Sequence, residues 1–536
     1  MSQLKTREAH TGSGIPVKTY YTSQDIVDLN EGKDLGLPGG EPYTRGIYES
    51  MYRGRLWTIR QFSGFATPEE TNKRYKYKYE HGETGFSISV DSVTENGLDP
   101  DDPRAVDEVG QSGVSISSLA DMEILFDGLP IDKVSTAVIT SQWTSPALAA
   151  MYFAMAEKRG VSLKEIDGTS QNDPYVFSLC CNLIDCVTPP YLLRLSVDLI
   201  EWCAENVPHW HPVSFASYNY RENGCNAYQE LGTVFANAVG YIEEELKRNR
   251  LKIDDFAPVL SFHLAAHNDF FEEIAKFRAA RRIWCKLMKE HYGAKNPRSL
   301  AFRFHVQTSG STNVYQQILN NSVRIAYQVM AAALGGAQSI HATSYDEPLC
   351  LPTDQSILLS IRTQQIAQYE TNITNVADPL AGSYYVEWLT NEVEKKAWEY
   401  FQEIQDRGGL LEVWQSGWMH REAADAMEAR QREINSGETK IVGLNCFEMP
   451  EEPYQVPVFR PNPQSTEIET EKIRKLRQDR ENRKVKKCLE NLRQVSLTGE
   501  NVMPVLMETV KSYATLGEIQ DVWRGIWPKW KAPIEY

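Results

Sequence analysis

Residues 300–310 read LAFRFHVQTSG. As a β-strand this segment alternates faces, so Arg303, His305, Gln307 and Ser309 share one side while Phe302, Phe304, Val306 and Thr308 share the other. A half-buried surface strand alternates too, but it puts long solvated charges on its wet side. His, Gln and Ser suit specific contacts better than solvation, and the strand runs into a Thr-Ser-Gly turn. It is predicted to be a barrel strand whose polar face lines an interior.

Working outward, the same unit recurs: a short β-rich segment, a turn, then an amphipathic stretch. Together with 301–308, the segments 57–64 (WTIRQFSG), 85–92 (GFSISVDS), 134–140 (VSTAVIT), 167–173 (DGTSQND), 213–220 (VSFASYNY), 259–265 (VLSFHLA) and 338–345 (QSIHATSY) make eight. Stretches such as SPALAAMYFAMAEKRG, NAYQELGTVFANAVGYIEEELKRN and FFEEIAKFRAARRIWCKLMKEHYG separate them, with apolar residues at three- and four-residue steps. Eight alternations within about 300 residues predict an α/β fold, a (β/α)8 barrel, rather than an open doubly wound sheet. Such barrels normally pack branched apolar residues inside. Here the strands carry Ser, Thr, Gln, Arg and His, which predicts a polar-lined interior that admits a ligand along the axis.

Around this barrel, assigned to residues 46–350, the text changes. Residues 1–45 are polar with several turn signals and read as an extended arm that wraps a neighbour or a partner. Residues 351–440 read as helices completing the barrel domain, and 441–536 as a Pro-rich connection followed by charged helices, the first spanning about 466–498. Its basic run KIRKLRQDRENRKVKK reads as a solvated helix face.

The chain has 536 residues, enough for two or three domains, with 42 % hydrophobic and 10 % aromatic content. It carries 72 Asp+Glu against 56 Lys+Arg, a net charge of −16, which argues against a general nucleic-acid or anionic-membrane binder but leaves room for local basic pockets. No apolar run approaches the ~20 residues of a membrane span, and the opening MSQLKTREAHTGSG lacks the apolar core of a secretion signal, so a cytoplasmic location is expected. Nine cysteines, an odd number thinly spread, point to reduced thiols. The cluster CCNLIDC, with Cys180, Cys181 and Cys186, has no CxxC pair and reads as buried or pocket-lining thiols. His263 and His267 have the i,i+4 spacing of helical metal ligands, but SFHLAAHN reads as strand running into loop, which argues against a shared metal. No nucleotide loop, serine nucleophile elbow or zinc-protease helix is present.

Seven ordered motifs, RGIYESMYRGRLWTIRQFSGF, DPRAVDEVGQSGVSISSLADMEILF, GTSQND, FFEEIAKFRAARRIW, FHVQTSG, GGAQSIHATSYDE and DPLAGSYYVEWLT, resemble the large, substrate-binding subunit of the adenosylcobalamin-dependent acyl-CoA mutases. That group includes methylmalonyl-, isobutyryl- and 2-hydroxyisobutyryl-CoA mutase. The resemblance runs from about residue 17 to the C-terminus and is strongest to the separate-subunit 2-hydroxyisobutyryl type. It implies radical chemistry at the barrel mouth, a pantetheine arm threaded down the axis, and migration of a thioester carbonyl to the adjacent carbon. By position, Ser50, Arg55, Ser87, Thr140, Ser261, His305, Gln307 and Gln338 fall where the family contacts coenzyme A or the acyl end; Arg298 is a candidate for a different grip on the coenzyme, since Val259 takes the place of the family's phosphate-binding Arg. Gln171 matches a glutamine beside the thioester. Glu222, Gly310, Thr343 and Glu347 fall on cofactor-contacting positions. The family's cobalt-ligating run Asp-x-His-x-x-Gly does not occur in this sequence, so the resemblance implies a separate small subunit that supplies it, in a heterotetramer of two large and two small chains, and no metal ligand here.

Departures from the family sharpen the expectation. Phe62 and Cys181 stand where enzymes for a free carboxylate have Tyr and Arg; loss of the Arg removes a bidentate carboxylate partner. Ser89 takes the place of the hydroxyacyl-specific Asp. Asn219 replaces a His that hydrogen-bonds the migrating carbonyl, and an Asn donates a hydrogen bond but shuttles no proton at neutral pH. Val259 replaces an Arg on the coenzyme's phosphates, and Val138 a Ser. The reading is an intramolecular transferase acting on a non-carboxylated branched acyl-CoA. Its rivals are a mutase with an unusual acyl group or carrier, and a retired mutase-like subunit that binds or assembles.

Overall fold

A computed structural model describes residues 8–173 and 185–531. Its centre is a ring of parallel strands with helices packed around it. In chain order these are β1 (Thr58–Ile59), β2 (Phe62–Ser63), β3 (Gly85–Ser89), β4 (Ser135–Ile139), β5 (Gly168–Ser170), β6 (Trp210–His211), β7 (Ser214–Ala216), β8 (Ser261–Ala266), β9 (Phe304–Thr308) and β10 (Ser339–His341). Hydrogen bonds group them into two five-stranded sheets, β1-β10-β9-β8-β7 and β2-β3-β4-β5-β6. Two residues separate β1 from β2 and two separate β6 from β7, so each pair is one interrupted barrel strand and the sheets join end to end. Eight strands result, one in each of the eight β-rich segments.

The first interruption has a visible cause. The Gln61 side chain crosses to the end of β10, where its Oε1 accepts from Ala342 N–H, and the Gln61 N–H donates to Glu83 at 2.7 Å. The buried Lys78 ammonium bridges the Gln61 carbonyl and the Glu83 carboxylate. These bonds occupy backbone and side-chain groups of residue 61 that a regular ladder would otherwise use.

Strand edges differ from their predicted extents. Residues 297–300 (PRSL) form a helical turn, so β9 begins at Phe304. Segment 213–220 is strand only over Ser214–Ala216; Tyr218–Glu222 is a short helix, which moves Asn219 off the strand. The charged helix expected over about 466–498 is two helices, Ser465–Asp479 and Asn482–Ser496. Arg480 turns extended between them, its guanidinium held by Glu518 and the Tyr513 carbonyl.

Helix termini follow local chemistry. Ala227–Arg248 starts at a capping box between Asn226 and Gln229 and ends at Asn249, whose φ of 56° supplies the left-handed cap. Helix Ser145–Lys158 is almost wholly buried because the C-terminal helices, through Met503, Leu506, Val510, Ile519 and Trp523, cover its outer side. Helix Tyr384–Asp406 does the same for the opposite flank, its Leu389, Val393, Ala397 and Ile404 joining the core with the helices Ala227–Arg248 and Phe270–Lys286. The arm lies on its own chain: Gly12 N–H donates to Asp269, and Tyr21 packs on Tyr385 and Trp388 at 5.0 and 4.7 Å. Among the described residues no helix is long and apolar enough to cross a membrane.

Candidate active site

The inner face of the barrel is built from small side chains. Register pairs Phe62 with Ser87, Ser87 with Ala137, Ala137 with Thr169, and Thr169 with His211; across the other sheet Ser214 faces Ser261, His263 faces His305, and His305 faces Ser339. Gly85 lies where a Cβ would stand 2.7 Å from Thr58 and 2.9 Å from the Arg60 guanidinium. With small residues in place of branched ones, the axis stays open as a cavity of about 300 Å³.

One end of the cavity is cationic. Arg55, Arg298, Pro208 and His209 are exposed around an opening at the N-terminal ends of the strands, with Tyr48 and Arg303 beside them. Four arginines, Arg55, Arg60, Arg298 and Arg303, line the cavity against one carboxylate, Asp167. In a chain of net charge −16 this is a local inversion of sign, and it favours a polyanionic ligand.

The other end is aromatic and amide-lined. Phe62 stacks on His341 at 4.4 Å and 11°, with the His263 and His305 rings each 5.8 Å away. The Phe62 N–H donates to His341 Nδ1 at 3.0 Å. Gln171 Nε2 lies 3.4 Å from His263 Nδ1. Burial pushes His263 and His341 down to about 3, and His305 well below its ordinary value. All three rings are therefore neutral donors and acceptors at pH 7, not cations. Gln171 Oε1 and His305 Nε2, both on the cavity wall, are buried without a protein partner, as suits a surface that receives ligand atoms or water.

Beyond this end, at the C-terminal rim, Glu222 on the short helix meets the turn after β9. Ser309 Oγ and, at 2.6 Å, the Ser311 N–H donate to its carboxylate. A Cβ on Gly310 would stand 2.7 Å from Glu347 Oε1 and 3.4 Å from Glu222 Oε2, so glycine keeps a cradle open there. Thr343 is tied to Thr308 at 2.8 Å and accepts from Asn313 at 3.3 Å. Burial raises Glu222, and burial with the Glu222 and Asp346 carboxylates raises Glu347.

Of the residues singled out in the sequence, Arg55, Phe62, Gln171, Ser261, Arg298, His305 and Gln338 line the cavity. Ser261 Oγ donates to the Val213 carbonyl, and the Gln338 amide is spent on Phe304 N–H and the Gly336 carbonyl. Ser87 and Ser89 lie on β3 and Gln307 on β9, outside the cavity's lining. Thr140 Oγ1 donates to Glu95 at 3.1 Å, Ser50 is exposed before the turn Met51–Arg53, and Asn219 is half-buried off the cavity. Glu222, Gly310, Thr343 and Glu347 gather at the rim. Cys181, like Cys180, lies outside the described residues. The sequence reading did not single out His263, Arg60, Asp167 or His341 as site residues. The alternation Ser261, His263, Ala265 carried the signal, the same one read from residues 303–307.

Residues 10–529 match the family model described as methylmalonyl-CoA mutase. The chain is 38 % identical over 535 residues to the 2-hydroxyisobutanoyl-CoA mutase large subunit of Aquincola tertiaricarbonis, covering 98 % of this chain and 92 % of that one. It is 39 % identical over 518 residues to the methylmalonyl-CoA mutase of Rhizobium meliloti, covering 96 % and 72 %. Against the human mitochondrial methylmalonyl-CoA mutase it is 36 % identical over 525 residues, covering 98 % and 69 %.

Proposed function

The chain belongs to the methylmalonyl-CoA mutase family, isomerases that rearrange the carbon skeleton of acyl-CoA thioesters, and from that premise we propose that it is the large catalytic subunit of a mutase for a non-carboxylated, branched acyl-CoA. The observation that carries this reading is the polarity of the axial cavity. Its cationic mouth suits the phosphates of coenzyme A, its narrow polar wall suits the amides of a pantetheine arm, and its inner end suits a neutral acyl group. Arg60 is turned toward Ser135 near the strand starts, and the groups around Phe62 are rings and an amide. A free carboxylate there would lack the cation that its burial requires.

The residues of the C-terminal rim fit adenosylcobalamin. The cradle over Gly310 admits a bulky group, and raised carboxyl groups on Glu222 and Glu347 favour proton-bearing contacts with hydroxyls. When bound, that cofactor would supply the radical chemistry of the rearrangement. The protein's own part is then to orient the thioester beside Gln171, to hold neutral imidazoles around the acyl group, and to exclude water with Phe62 stacked on His341 and His263 packed edge-on against it. A small subunit would complete the site, in keeping with the large-subunit description of the Aquincola relative, and the Asp-x-His-x-x-Gly run would be its contribution.

The test is to combine the chain with its small subunit and adenosylcobalamin and to screen branched acyl-CoAs for isomers by mass spectrometry. A neutral branched thioester should rearrange. Absence of cobalamin binding with the cognate small subunit would sink the enzyme reading and favour a retired subunit. The buried unpartnered atoms weigh against retirement, because an idle site has no ligand to offset their desolvation.

A further inference from the structure

A buried ion pair governs the strand that carries Phe62. Along β1 the ladder to β10 runs at two-residue steps: Thr58 N–H donates to the Gln338 carbonyl at 3.0 Å and Arg60 N–H to the Ile340 carbonyl at 3.1 Å. The next step of a regular parallel ladder would send Phe62 N–H to the Ala342 carbonyl. It goes instead to His341 Nδ1 at 3.0 Å, and the Ala342 N–H turns to Gln61 Oε1 at 3.0 Å. The diversion begins at Gln61, whose N–H donates to Glu83 Oε1 at 2.7 Å and whose carbonyl accepts from Lys78 Nζ at 2.9 Å. Lys78, 0 % exposed on the helix Pro68–Glu80, and Glu83, 1 % exposed ahead of β3, meet at 2.9 Å. One ion pair thus holds both main-chain groups of one residue.

What that pair places is the neighbouring ring. With its N–H turned to His341, Phe62 lies on the imidazole at 4.4 Å and 11°, and it is Phe62 that lines the cavity. Burial, with the Lys78 ammonium, keeps His341 down at about 3, so its Nδ1 remains an acceptor for Phe62 across neutral pH. Neither ion can move off its partners without becoming an uncompensated charge away from water. Phe62 is therefore a fixed wall and does not swing aside for a larger group. We propose that Lys78 and Glu83 are positioning residues that set the acyl-branch specificity of the cavity, by fixing the main chain at Gln61 and, through it, the Phe62 ring. This rests on the acyl-CoA reading of the cavity.

Titration calorimetry of the full chain with isobutyryl-CoA, the bulkier pivaloyl-CoA and coenzyme A tests it. The wild type should bind the isobutyryl ester at least about tenfold more tightly than the pivaloyl ester, because a fixed wall cannot yield to the added methyl. The double variant Lys78→Met/Glu83→Leu replaces the ions by apolar groups and frees both Gln61 groups; it should bring the two esters within about twofold. Lys78→Gln/Glu83→Gln keeps a donor for the Gln61 carbonyl and an acceptor for its N–H, and should retain the preference. Equal binding by the wild type overturns the proposal, as does a preference that survives in the folded apolar variant or is lost equally in the amide variant. Gln61→Ala leaves the ions in place and cuts only the tie to Ala342. It should narrow the preference to about threefold, and an unchanged preference there overturns the proposal even where the apolar variant fails to fold. If neither ester nor coenzyme A binds the wild type, the acyl-CoA reading itself falls; if both esters bind without discrimination, only the positioning reading falls.

Discussion

Arg298 stands exposed at the cavity mouth, where its only role in the proposed site is charge. Arg298→Ala should leave the melting temperature unchanged and weaken acyl-CoA binding by about 5- to 20-fold at low salt, less at high salt, as titration calorimetry would register. Gly310 makes the converse case. A Cβ there meets the movable end of Glu347, so Gly310→Ala should fold normally yet lose most of its response to adenosylcobalamin in the assembled enzyme. Unaltered cofactor saturation would place the cofactor elsewhere. Gly310 was singled out by its place in a family motif, and Arg298 as a substitute for the phosphate-binding Arg that Val259 replaces. His263 was weighed only as a metal ligand with His267 and not assigned to the axis, although it shares the alternation that exposed His305, because a histidine facing a barrel axis and one buried in a sheet have the same sequence neighbours.

At the scale of elements, the end of β8 is fastened by charge. Lys276, fully buried, donates to Glu230 at 2.6 Å, to Glu273 and to the Ala265 carbonyl, while Glu230 accepts the Ala265 N–H at 2.7 Å. One ammonium thus joins the strand that carries His263 to the helices on either side. Lys276→Met leaves two buried carboxylates short of a partner and should cost about 3–5 kcal/mol in chemical denaturation. The i,i+3 pair Glu273–Lys276 is visible in the sequence; Glu230, 46 residues away, is not. The break of the charged helix at Arg480 has the same character, since its cause, Glu518, lies on another helix.

For the whole molecule, buried titratable groups set opposing limits on stability. Glu245, 0 % exposed with both carboxylate oxygens unpartnered, is pushed up to about 8 by burial and by the neighbouring Glu201. A raised acid contributes stability below its unfolded value of about 4.5 that is lost as pH rises through 8. Histidines 263 and 341, held at about 3, do the reverse: their contribution is present above the unfolded value of 6.5 and disappears as pH falls. The melting temperature should therefore peak in the mildly acidic to neutral range. Glu245→Gln should raise stability near pH 8.5 by about 1–3 kcal/mol and change it little near pH 5.5. A uniform shift at both pH values would show that Glu245 is not the source of the alkaline limb.

The sequence by itself determined the eightfold strand–helix alternation, the polar interior and the family, because hydrophobic period and ordered motifs are local properties of the chain. Caps such as Asn226 and Asn249 were equally local. Only the tertiary structure decided which polar side chains share the axial cavity, which are already satisfied by neighbours, as Thr140 is by Glu95, and which are left bare, as His305 Nε2 and Gln171 Oε1 are. Satisfaction of a buried polar atom depends on partners tens to hundreds of residues away, and no spacing along the chain encodes that distance.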